Sequence, residues 1–122
     1  MAHILVVDDE AAIRELIQEV LAMEGHTCDQ AENGSLALDC LKAKKYDLMI
    51  IDRNMPKMTG IQALQILRGL PAFKEFKVIM CTSASVTREV DEAFEAGATD
   101  YILKPINLAM LAGKVRKITA AP

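Results

Sequence analysis

Apolar residues along the chain fall into short unbroken runs separated by stretches of helical spacing. Ile4-Leu5-Val6-Val7, Leu48-Met49-Ile50-Ile51 and Val78-Ile79-Met80-Cys81 are continuous, the pattern of strands buried on both faces of a parallel sheet. Tyr101-Ile102-Leu103 is a shorter run of the same kind. Thr27-Cys28-Asp29-Gln30-Ala31 alternates in polarity instead, as an edge strand with one wet face does. Between the runs, Ile13, Leu16, Ile17, Val20 and Leu21 mark a first helix, with Asp9 or Glu10 at its start and Gly25 past its end. Asn33 is placed to cap a second helix that turns Ala37, Leu38 and Leu41 inward. A third begins near Thr59-Gly60 and ends before Pro71, because the residue preceding proline disfavours the helical region. Val90, Ala93 and Phe94 mark a fourth, closed by Gly97. Asn107 caps a last one, with Leu108, Leu111, Val115 and Ile118 on one face.

Strand and helix thus alternate strictly, which requires a parallel sheet with helices on both faces. Only the second strand reads as an edge, which fits the doubly wound order 2-1-3-4-5. Residues 119–122 read as a fraying tail, so residues 1–122 are expected to form a single domain. That length suits one domain and is enough for a real core. Apolar residues at 52% and charged residues at 25% place the chain among globular proteins.

A net charge of −3, from 14 basic and 17 acidic side chains, argues against direct binding of nucleic acid. The basic groups Lys42, Lys44, Lys45 and Lys114, Arg116, Lys117 fall at predicted helix ends, where they complement the helix dipole. Cys28, Cys40 and Cys81 are far apart and lack metal or redox spacing, so reduced thiols are expected. No apolar run approaches membrane-spanning length, and Ile4–Val7 is too short for a signal peptide, which leaves the cytoplasm as the expected compartment. The seven methionines, spread over strands and helices, read as core filling.

The chemistry collects at the strand ends. Asp52 closes the central run, Asp8-Asp9 closes the first, Thr82-Ser83 the next and Lys104 the last. In open α/β sheets ligands bind in the crevice outside the carboxyl ends of the strands. With strands one and three adjacent, Asp8, Asp9 and Asp52 share one rim, where like charges raise one another's pKa unless compensated. Mg²⁺ is the natural compensation, because it takes one or two carboxylates together with phosphate oxygens. Lys104 adds a second positive charge and Thr82 a hydroxyl. Carboxylate, metal, ammonium and hydroxyl around one crevice make a phosphoryl-transfer site, where positioning and charge neutralisation do most of the catalysis.

Four motifs carry a resemblance to a known family. They are Val6-Val7-Asp8-Asp9-Glu10, Ile51-Asp52-Arg53-Asn54-Met55-Pro56-Lys57-Met58-Thr59-Gly60, Cys81-Thr82-Ser83-Ala84 and Gly97-Ala98-Thr99-Asp100-Tyr101-Ile102-Leu103-Lys104-Pro105. Over essentially its whole length the chain resembles the receiver domain of bacterial two-component response regulators, in its single-domain chemotaxis form. The resemblance implies a flavodoxin-like (βα)5 fold and a phosphorylation-dependent signalling switch rather than a conventional enzyme. By that resemblance Asp52 is the phosphoacceptor, served by a sensor histidine kinase or a histidine phosphotransfer protein. Asp9 binds Mg²⁺ directly and Asp8 through water, with Asp52 and the backbone carbonyl of Asn54 completing the metal site. Thr82 and Lys104 hold phosphoryl oxygens, Lys104–Pro105 is a cis bond, and Tyr101 is a rotamer switch beside Thr82. An output protein is expected on the face of the fourth helix, fifth strand and fifth helix, roughly Ser85 to Lys117. Arg53 puts a charge beside the acceptor and Ala84 is small, and the family uses such positions to tune dephosphorylation.

Two other classes fit less well. A phosphatase of the haloacid-dehalogenase type places Asp-x-Asp after its first strand, whereas this chain has adjacent Asp8-Asp9 there and its candidate nucleophile near mid-chain. A flavodoxin-like electron carrier needs a Ser/Thr-rich phosphate loop where this chain has Asp8-Asp9-Glu10, and aromatics at 4% leave little to sandwich a flavin.

Overall fold

The computed structural model describes residues 2–83 and 87–120. The expectations for Ala84, Ser85 and Val86, and for the last two residues of the predicted tail, lie outside the described residues. Five strands, β1 (His3–Val7), β2 (Thr27–Ala31), β3 (Leu48–Asp52), β4 (Lys77–Ser83) and β5 (Asp100–Lys104), alternate with helices. The helices are α1 (Ala11–Met23), α2 (Gly34–Ala43), α3 (Gly60–Arg68), α4 (Thr87–Glu95) and α5 (Leu108–Thr119), with a 3-10 turn at Pro71–Phe73 ahead of β4. Every pairing is parallel and the order is β2-β1-β3-β4-β5, as the apolar pattern predicts. All of β3 is buried, whereas in β2 only Ala31 is, which is why the first reads as a continuous run and the second alternates.

Alternation along the strands sorts the core into two layers. Leu5, Val7, Met49, Ile51, Val78 and Met80 pack with Ala37 and Leu41 of α2, Leu64 and Leu67 of α3 and Ala93 of α4. Ile4, Val6, Leu48, Ile50, Ile79, Cys81 and Ile102 pack with Ile17 and Leu21 of α1 and Leu111 and Val115 of α5. Fully burying one such side chain is worth roughly 1.5–3 kcal/mol. Packing on both faces therefore fixes the sheet and holds its C-terminal rim rigid.

Local signals set the helix starts. Asn33 Oδ1 accepts from Leu36 N (2.8 Å) and Asn107 Oδ1 from Met110 N (3.0 Å). Thr59 and Gln62 form a reciprocal capping box at α3. At α1, by contrast, Glu10 makes no side-chain cap. Gly25 (φ 90°) and Gly97 (φ 105°) end α1 and α4 in the left-handed region that glycine tolerates best.

Three expectations need adjusting. Leu16 lies 45% exposed, because it sits about 100° round the helix from Ile17, which with Leu21 takes the centre of the buried face. Phe94 is 46% exposed and stays on the outer side of α4. Core filling holds for Met49, Met55 and Met80, but Met23 and Met110 are exposed. Among the described residues no helix is long and apolar enough to cross a membrane.

Candidate functional site

The register brings the strand ends together. Val7 lies beside Ile51, Asp52 beside Cys81, and Ser83 beside Lys104. Asp8, Asp52 and Lys104 continue the parity of Val6, Ile50 and Ile102, so they fall on the α1/α5 side of the sheet. Thr82 has the parity of Met80 and falls on the other side. Asp8, Asp52 and Thr82 are all buried, at 3%, 2% and 0% exposure. Sheet geometry therefore brings Asp8, Asp52, Thr82 and Lys104 to one rim, while Tyr101 lies further back in the register, beside Met80.

Lys104 Nζ lies 2.6 Å from Asp52 Oδ1, and the backbone N–H of Asn54 donates to the same oxygen at 3.2 Å. Burial by itself favours the neutral amine of Lys104. The hydrogen bond to Asp52 and the charges of Asp52 and Asp8 outweigh it and raise its pKa, so the ammonium persists. The main chain beside the acceptor is locked: Arg53 N donates to Cys81 O and Gly60 N donates to Arg53 O, each at 2.9 Å. A Cβ on Gly60 would stand 2.4 Å from the Asp52 carbonyl oxygen, a close approach only glycine permits.

Asp8 is pushed up to about 6, chiefly by burial, with the charges of Asp52 and Asp9 adding to it. The Glu10 N–H, which donates to Asp8 Oδ1 at 2.9 Å, and the Lys104 ammonium oppose that rise. Thr82 Oγ1 is buried with no hydrogen-bond partner among the described residues. Leaving a buried hydroxyl unpaired costs about 1–3 kcal/mol, so this position suits an incoming acceptor oxygen better than it suits folding.

The carboxylate oxygens of Asp8, Asp9 and Glu10 lie within 4.8 Å of one another. Two oxygens across a Mg²⁺ are about 4.2 Å apart, twice the ~2.1 Å bond, and side-chain rotation of the exposed Asp9 and Glu10 covers the difference. An all-oxygen anionic set of this kind fits a hard divalent cation. The sequence places Glu10 at a helix start; the unbroken run Asp8-Asp9-Glu10 is the signal that it also sits with the other donors. A cleft of about 250 Å³ runs from Asp8 and Lys104 to Leu16 and Leu108.

Tyr101 lies on β5, half-buried, edge-on to Phe94 at 5.7 Å between ring centroids. Lys114 Nζ sits 5.1 Å from the Tyr101 ring centroid and pairs with Asp100 at 3.1 Å. The Lys104–Pro105 bond is cis, as the resemblance implied. Arg53 behaves differently from expectation. Alternation turns it away from Asp52, and its guanidinium is taken up by Glu89 and Glu92 of α4.

Comparison with known proteins agrees with this geometry. Residues 4–116 match the model of the response regulator receiver domain. The chain is 35% identical over 116 residues to the chemotaxis protein CheY of Pseudomonas aeruginosa, covering 94% of each chain. It is 39% identical over 107 residues to the chemotaxis protein CheY of Bacillus subtilis, covering 86% of this chain and 88% of that one. Among solved structures it superposes on the chemotaxis response regulator CheY4 of Vibrio cholerae with a TM-score of 0.90 at 30% identity, covering 97% and 98% of the two chains. The signal receiver domain of a histidine kinase from Syntrophus aciditrophicus gives the same TM-score and identity, covering 100% of this chain and 96% of that one. The sequence match and the shared fold extend over nearly the whole length, and the chain belongs to the response regulator receiver domain family.

Proposed function

We propose that the chain is a phosphorylation-dependent switch in which Asp52 accepts a phosphoryl group from a phosphohistidine on a sensor histidine kinase or a phosphotransfer protein. The observation that carries this reading is the buried Asp52 carboxylate, held by Lys104 at 2.6 Å, at the same strand-end rim as Thr82, whose buried hydroxyl has no partner among the described residues. A carboxylate oxygen of Asp52 attacks phosphorus as the P–N bond to imidazole breaks, and the imidazole leaves with that electron pair. Lys104 exchanges its bond to Asp52 for one to a phosphoryl oxygen, and Thr82 donates its hydroxyl to another. Asp8, Asp9, Asp52 and the backbone carbonyl of Asn54 would hold Mg²⁺, which would supply charge neutralisation for the transferring group.

With Thr82 drawn toward the phosphoryl group, space opens behind it on the α4 side, and Tyr101 is the aromatic placed to turn into it. The surface of α4, β5 and α5 then changes, and an output protein there reads the difference. The chain acts in the cytoplasm and catalyses only its own phosphoryl transfer and dephosphorylation. Incubation with acetyl phosphate and Mg²⁺ is expected to give one phosphoryl group per wild-type chain and none for Asp52→Asn. Normal uptake by the variant removes Asp52 as the acceptor.

A further inference from the structure

The residue after the acceptor is tied to α4. Arg53 Nε lies 3.1 Å from Glu89 Oε1 and Nη2 lies 2.8 Å from Glu92 Oε2, while Nη1 donates to the Glu89 carbonyl at 3.3 Å. Glu89 and Glu92 are one turn apart, so one face of α4 presents both carboxylates to a single guanidinium. Arg53 and Glu89 are only 16% and 18% exposed, so the pairing is shielded from water and salt in a way surface pairs are not. The main chain of Arg53 cannot follow a movement of α4, because its N–H and C=O are bonded to Cys81 and Gly60.

This contact exists in the arrangement where Lys104 bonds Asp52 itself and Thr82 Oγ1 has no partner among the described residues. We propose that Arg53 is a positioning residue that tethers α4 to the acceptor strand in the unphosphorylated state and is released when Asp52 is phosphorylated. The proposal rests on the function proposed above. Thr82 lies at the end of β4, on the path into α4, so drawing it toward a phosphoryl group moves α4 against a fixed Arg53. By linkage, whatever holds α4 in place then weakens binding at Asp52, and loosening it strengthens binding there.

The test is affinity for beryllofluoride, a phosphoryl mimic, with Mg²⁺, followed by amide shifts. Wild type, Arg53→Met, the pair Glu89→Gln with Glu92→Gln, and all three changes together are compared, with Asp52→Asn as control. Arg53→Met and the glutamine pair are each expected to tighten binding by about fivefold or more, the low end of ordinary coupling between sites. The triple variant is expected to match either one, because both remove the same contact. Arg53→Lys, which keeps the charge but reaches one carboxylate, should fall between wild type and Arg53→Met. The glutamine pair carries the test even if Arg53→Met fails to fold. Unchanged or weaker binding, or effects that add, overturns the tether while leaving the proposed function standing. Wild type that binds no better than Asp52→Asn overturns both.

Discussion

Asp8 reaches a pKa of about 6 because burial removes its carboxyl from water beside Asp52 and Asp9, and this gives the protein a built-in pH response. Its ordinary value is 3.8, so between that and about 6 the folded chain binds a proton that the unfolded chain has released. Without metal, this carboxyl's contribution to stability is therefore full below pH 3.8 and is lost as pH rises through about 6. The shift corresponds to roughly 1–3 kcal/mol. Asp8→Asn keeps an oxygen for the Glu10 N–H and has nothing to ionise. Melts without Mg²⁺ should show it more stable than wild type by about that amount at pH 7, with the gap closing by pH 4. A gap that ignores pH would remove burial of Asp8 as its cause. Thr82 offers a second single-residue test, because its buried hydroxyl has no partner among the described residues. Thr82→Val keeps the shape, so the free protein should gain about 1 kcal/mol in chemical unfolding while beryllofluoride affinity falls. A destabilised variant would mean that the hydroxyl is already bonded.

Helix α3 sets the position of the acceptor as much as β3 does. Its first residue, Gly60, packs against the main chain of Asp52 and Arg53, and its start is fixed by the Thr59–Gln62 capping box. Gly60→Ala must push that main chain aside, which should lower stability by about 1–3 kcal/mol and slow acetyl phosphate uptake, measured by unfolding and by phosphoprotein assay. Uptake at the wild-type rate would show that the acceptor tolerates the displacement. At this scale the sequence is read well where a signal is local. The strand runs, the caps at Asn33, Thr59 and Asn107, and the stops at Gly25 and Gly97 each depend on residues within one turn. What eluded it depends on partners far along the chain. Arg68 illustrates this: its guanidinium bonds the carbonyls of Gly97 and Phe73, a clamp between α3, the 3-10 turn and the loop before β5. Arg53 is the other case, since a charge next to Asp52 in sequence is spent on Glu89 and Glu92, more than thirty residues away.

In the whole molecule, the sheet separates two tasks. Asp8, Asp52 and Lys104 lie toward α1 and α5, while Arg53 and Thr82 lie toward the layer that α4 helps to build, with Tyr101 edge-on to Phe94 of α4. Beryllofluoride should therefore move amide signals beyond the acidic pocket, across Phe94, Tyr101 and Lys114. Shifts confined to residues lining the pocket would sink the switch model. Residues adjacent in sequence serve opposite layers, and β3 has only five residues in which to arrange this. A single residue inserted within 48–52 would shift the frame by half a pleat and exchange the two faces, turning the acceptor toward the α4 layer and Arg53 toward α1 and α5. The same insertion at 44–47 or 69–70, outside the strands, leaves that frame untouched. A length change that spares the acceptor's frame is therefore expected at the far end of the sheet and not within the acceptor strand.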